Sequence, residues 1–159
     1  MVGLIIERLI EYELALSDLY RECAEKFTEH RDFWSELAEE EVIHADSIRK
    51  LTDEAMAEKA DLNEKAFSIR PIEISIEYAK EIEDRVKRNK IDLLSILSLS
   101  YDIENSIIES EFHRVFTGRD NKVNDYIKLI HMESVNHRER IHVLKEKVLE
   151  NTKTMERWD

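Results

Sequence analysis

Six side chains with metal-binding chemistry recur in the two halves of the chain at nearly one interval. Glu13 precedes Glu41 by 28 residues and His44 follows by three; Glu104 precedes Glu133 by 29 and His137 follows by four. Near the middle of each interval the chain reads as turn, at Thr28-Glu29-His30-Arg31-Asp32 and at Thr117-Gly118-Arg119-Asp120-Asn121. If each half is a helical hairpin, its acidic positions lie at one height, about 14 residues or roughly 21 Å from the turn. Two such hairpins packed together bring four carboxylates and two imidazoles to one point, the makings of a two-metal centre.

The chemistry follows from where these residues fall. An ionised carboxylate buried without a partner costs several kcal/mol, and carboxylates gathered together raise one another's pKa. No arginine or lysine lies on the same stripes near them. Two divalent cations balance four carboxylates, and Glu41 and Glu133 as bridges would hold the ions close. Glutamate oxygen with imidazole nitrogen suits iron or manganese, and zinc is compatible; open coordination positions would take water, dioxygen or peroxide. Acidic residues number 36 of 159, so a single glutamate, or one Glu/His pair on a helix face, reads as a solvated contact. The joint placement on four apolar stripes is what distinguishes this set.

The elements that must position them are helices. The first pattern runs over 3–27, with Ile6, Ile10, Glu13, Leu16, Tyr20, Cys23 and Phe27 on one face. The second runs over 32–59 from a candidate cap at Asp32, with Trp34, Leu37, Glu41, His44, Ile48 and Leu51 aligned. After Asp92, a third runs over 92–117 through Leu94, Leu97, Tyr101, Glu104, Ile108, Phe112 and Val115. A fourth covers 121–151 through Ile127, Ile130, Glu133, His137, Ile141, Leu144 and Val148. Between the halves, Asp61-Leu62-Asn63 reads as a loop. Pro71 then opens a short helix over 72–88 with Ile72, Ile76, Tyr78, Ala79, Ile82 and Val86 apolar. A hairpin, a long connection carrying a short helix, and a second antiparallel hairpin make an all-α four-helix bundle with one crossover, a single domain over 1–159.

One irregularity stands out. Glu41 and His44 have the i, i+3 spacing expected of such bundles, whereas Glu133 and His137 are i, i+4. Aligning the two histidines also aligns Ile48 with Ile141 and Leu51 with Leu144, so His137 keeps its phase and Glu133 is one residue early. A π-bulge would restore the register. Glu139 and His142 have the regular spacing but fall on a different, surface-like face; at this level either pair can complete the site. Tyr20 and Tyr101 sit within two turns of the ligands and can hydrogen-bond a ligand carboxylate, while Tyr126 reads as core. His30 and His113 read as turn and surface, and His131 points away from Glu133.

Composition narrows the function classes. Charged residues are 38% and hydrophobic ones 42%, with two glycines and one proline, a balance that favours long helices over sheets. The net charge of −12 disfavours nucleic acid and anionic membrane as partners. The single cysteine, Cys23, excludes an internal disulfide or a cysteine metal knuckle and reads as a core thiol. No apolar run approaches membrane-spanning length, and a cytoplasmic protein is expected.

With the ligand pattern in view, the chain resembles the ferritin-like superfamily, and within it the rubrerythrin-like proteins, from about residue 3 to 150. The likeness is most specific at Glu13-Leu-Ala-Leu-Ser-Asp-Leu-Tyr20, at Glu41-Val-Ile-His44-Ala, and at Ile103-Glu104-Asn-Ser-Ile-Ile-Glu109. It implies two iron ions held by the glutamates and histidines, with the tyrosine seven residues after the first glutamate supporting the site. The implied activity is reduction of hydrogen peroxide or dioxygen. The chain departs from the family in lacking the four cysteines of a rubredoxin-like domain, so electrons would come from a separate donor such as a rubredoxin. Ile107 stands where peroxidase-type members carry a further glutamate, and the Glu133/His137 spacing is the third departure. A homodimer is the expected assembly. Ferritin-type iron storage, or a helical module with a structural metal, are the alternative functions.

Overall fold

The computed structural model describes residues 2–56, 60–63, 68–106 and 116–155. Helix α1 spans Val2–Lys26, a 3₁₀ turn covers Thr28–His30, and α2 spans Arg31–Met56. The Arg31 N–H donates to the Thr28 carbonyl, so the turn hands the chain straight into α2, and Asp32 lies inside the first turn instead of capping it. The two helices pack along each other through the apolar stripes read from the sequence. Leu9, Leu16, Tyr20 and Cys23 of α1 and Trp34, Leu37, Ile48 and Leu51 of α2 are fully enclosed. Ser17 Oγ donates to the Ala38 carbonyl at 2.7 Å and pins the pair at the height of the acidic positions.

Helix α3, Ile69–Lys87, starts three residues earlier than its apolar pattern, with Pro71 in the first turn where its missing N–H leaves no bond unmade. It lies along α1 and buries Ile72, Ile76, Ala79, Ile82 and Val86, whereas Tyr78 is exposed. Its end is set by Asn89, at a positive φ of 55°. There the Lys90 N–H reaches the Arg85 carbonyl and the Asn89 N–H the Val86 carbonyl, the paired bonds that close a helix on a left-handed residue.

Helix α4 spans Leu93–Glu104, capped as expected: Asp92 Oδ1 accepts from the Ser95 N–H at 2.8 Å. It does not continue to residue 117. The Asn105 N–H bonds back to Tyr101 and the Ser106 N–H to Ile103, and both residue types favour turns over helix interiors. Phe116–Gly118 forms β2, antiparallel to β1, Ala60–Leu62, so Asp61 and Leu62 are strand and not loop. Ile108, Phe112, His113 and Val115 lie outside the described residues. Gly118 is required where it stands. A Cβ there would meet the Asn124 backbone N at 2.7 Å, and Asn124 brackets the glycine by bonding both its N–H and its carbonyl, each at 3.0 Å.

Helix α5, Asn121–Met155, is capped by Asp120, whose Oδ1 accepts from the Val123 N–H. It packs on α4 and touches α2. It is α-helical from end to end, so the π-bulge that would realign Glu133 does not occur. Apart from the short ladder and the 3₁₀ turn, every regular element among the described residues is an α-helix. None of these helices is long and apolar enough to cross a membrane.

Candidate metal centre

The four helices α1, α2, α4 and α5 each direct acid or imidazole groups to one interior point. Glu13 comes from α1, Glu41 and His44 from α2, Glu104 from α4 and His137 from α5, and all are buried. Glu41 is central. Its Oε2 lies 3.1 Å from His44 Nδ1 and its Oε1 lies 3.0 Å from His137 Nδ1. The outer carboxylates repeat the pattern: Glu13 Oε2 is 3.8 Å from His44 Nδ1, and Glu104 Oε2 is 3.8 Å from His137 Nδ1. The two imidazoles stack with centroids 5.0 Å apart and planes 21° from parallel.

Glu133 is placed differently. Its side chain is 41% exposed, and its Oε2 lies 3.5 Å from His44 Nε2, on the outer edge of the ring. The unbroken turn of α5 keeps it one position out of phase. Ser134, the residue in register with Glu41, is the buried one. Glu139 and His142 are both exposed. Tyr20 donates its hydroxyl to Glu104 Oε1 at 2.6 Å. Tyr101 sets its ring 5.8 Å from that of His142, and Tyr126 donates to Ser47 Oγ. His30 and His131 are half-buried.

Three charged residues not singled out in the sequence complete the surroundings. Glu40 Oε2 lies 2.9 Å from His137 Nε2. Arg140 donates from Nη1 to Glu40 Oε2 at 2.6 Å and from Nη2 to Glu36 Oε2 at 2.9 Å. The four-residue step from Glu36 to Glu40 is visible in α2, but their partner comes from α5, which no local pattern reveals. An opening of about 140 Å³ reaches the outer edges of both rings, lined by Glu40, Ile43, His44, Glu133, Asn136 and His137.

The buried carboxylates and imidazoles of this cluster shift one another's proton affinity strongly. Burial, reinforced by the Glu41 charge, pushes Glu13 up to about 8 despite the opposing pull of His44. Burial acts the same way on Glu41, but the two imidazoles outweigh it and hold that carboxyl well below the usual range. Burial alone would depress both histidines. The carboxylates reverse this, raising His44 to about 12 through Glu13 and Glu41, and His137 to about 10 through Glu40, Glu41 and Glu104.

Whether a cation fits is decided by the unpaired atoms. Glu13 Oε2, Glu41 Oε1 and His137 Nδ1 are enclosed without a hydrogen bond. Glu41 Oε1 and His137 Nδ1 approach closely yet are not aligned as donor and acceptor. Buried polar atoms are ordinarily paired, so oxygen and nitrogen atoms that converge here without hydrogen-bond partners mark a place where a cation could replace the protons they carry. Ligand atoms of Glu41, His44 and His137 all lie within 4.8 Å of one another. This oxygen and nitrogen donor set can bind a metal ion. Comparison with protein-family models, curated proteins and solved structures finds no match to the chain.

Proposed function

We propose that this chain is a di-metal carboxylate protein of the rubrerythrin-like kind, in which two iron ions reduce hydrogen peroxide or dioxygen with electrons from a separate donor protein. The observation that carries this reading is the division of Glu41 between the two imidazoles. One oxygen faces His44 with Glu13 behind it, and the other faces His137 with Glu104 behind it. A carboxylate so divided is disposed to bridge two cations, each completed by one histidine and one further glutamate. In this reading α1, α2, α4 and α5 supply the four helices of a ferritin-like bundle, and α3 lies in the crossover.

A bound iron pair would supply the two electrons that, with two protons, convert peroxide to two waters. The chain's own residues do the rest. Glu41 holds its negative charge at the centre across the working pH range, and Tyr20 fixes Glu104 through its hydroxyl. Glu13 carries a proton up to about pH 8 and releases it when a cation takes that place. The narrow opening admits molecules of a few atoms, and Glu133 stands at its edge.

Anaerobic titration with ferrous ion should saturate near two per chain, and the loaded protein should consume peroxide in the presence of reductant. A Glu41→Ala/Glu104→Ala double variant that consumed peroxide at the parent's rate would overturn the enzymatic reading. Purified protein with no metal, and no change in melting on chelation, would leave a helical module in its place.

A further inference from the structure

The two imidazoles face the same small opening, yet their outer nitrogens are not treated alike. His137 Nε2 is 2.9 Å from Glu40 Oε2, and Arg140 grips that same oxygen at 2.6 Å while reaching Glu36 with its other nitrogen. His44 Nε2 is enclosed without a hydrogen bond, and its nearest carboxylate, Glu133, stands 3.5 Å away at the rim. A carboxylate on the outer nitrogen of a ligating histidine fixes the tautomer, orients the ring and raises the basicity of the inner nitrogen. Only His137 has one within hydrogen-bond distance.

We propose that Glu40 is a positioning residue that makes the two metal positions unequal. By accepting the proton of His137 Nε2 it presents Nδ1 inward as a preset donor, so the Glu41/Glu104/His137 position takes a divalent cation first. The Glu13/Glu41/His44 position, whose histidine lacks such a support, fills second and exchanges more readily. Arg140 contributes at one remove, by holding the Glu40 carboxylate in place between α2 and α5. The proposal rests on the two-cation reading above, and it concerns order and affinity, not turnover.

Calorimetric titration of the full chain with manganous ion, which needs no oxidant or reductant, separates the two. The parent should show two binding events of different affinity. Glu40→Ala should weaken the tighter event by about 10- to 100-fold, bringing the two together, and Glu40→Gln should restore part of the loss. Arg140→Ala should act in the same direction to a smaller extent. In the zinc-loaded protein, one histidine ring N–H should resist solvent exchange by NMR, and the Glu40→Ala variant should lose that signal. The rescue by Glu40→Gln and the ring N–H signal are readouts that a merely structural role would not move. Two events that Glu40→Ala leaves unaltered, or two equal events in the parent, overturn this inference while the two-cation reading stands. A parent that binds no cation overturns both.

Discussion

At the scale of single residues, Glu13 and Glu41 look interchangeable in the sequence and are opposite in the structure. Each is a glutamate on an apolar stripe, but burial leaves Glu13 protonated to about pH 8, whereas two imidazoles hold Glu41 ionised. Near neutral pH in chelator, Glu13→Gln replaces a neutral acid by a neutral amide of the same shape and should change stability by less than about 1 kcal/mol. Glu41→Gln strips two buried imidazolium groups of their shared counter-ion and should cost about 3–5 kcal/mol. Urea unfolding of both variants checks this, and equal losses would refute the assignment of charge. Both variants should bind metal far more weakly than the parent. Glu13, Glu41, His44, Glu104 and His137 were legible in sequence because each interrupts an apolar stripe, and the spacing of the halves showed that they meet. Glu40 and Arg140 were not legible, because their roles arise only when α2 and α5 touch. The one-residue slip of Glu133 was visible, but its outcome depended on whether α5 would distort, and the uninterrupted helix keeps the carboxylate at the rim.

At the scale of elements, the helices whose partners lie close in sequence were read well and the long-range ladder was missed. Helices α1 and α2 follow their stripes to within a few residues, and Asp92 caps α4 as its position suggests. The helical spacing of Leu94, Leu97, Tyr101 and Glu104 runs on in the sequence toward residue 117, whereas α4 ends at Glu104 and Phe116–Gly118 is strand. What overrides it is the turn chemistry of Asn105 and Ser106 and the pairing of Phe116–Gly118 with Ala60–Leu62 across more than fifty residues. Bidentate contact of Arg119 with Asp61 reinforces that ladder. The chain's two glycines give the ladder a direct test. Gly118→Ala forces a Cβ against the Asn124 backbone and should destabilise by about 1–3 kcal/mol. Gly3→Ala meets nothing within 4 Å on the exposed face of α1 and should be neutral or slightly stabilising. Thermal melts of the two variants decide it; equal midpoints would mean that the approach of β2 to α5 is not tight.

At the scale of the whole molecule, the buried cluster ties folding to pH, and the sign can be worked group by group. His44 and His137 have pKa values raised above the ordinary imidazole value, so the stability they add is complete below about pH 6.5 and drains away as pH climbs toward about 10 and 12. Glu13 is likewise raised, and its contribution drains between the ordinary carboxyl value and about pH 8. Glu41 is depressed, so its contribution is lost as pH falls below the ordinary carboxyl range. With the cluster holding protons, stability should therefore crest in the mildly acidic range. Above neutrality it should fall by at least about 1.4 kcal/mol per pH unit, the effect of one fully linked group. A bound cation replaces those same protons, so the metal-loaded protein should escape the alkaline decline. The gap in melting temperature between loaded and chelator-treated protein should then widen from pH 5 to pH 9. A gap that stayed constant would mean that cations bind without displacing protons from His44, His137 and Glu13, and so bind somewhere other than this cluster.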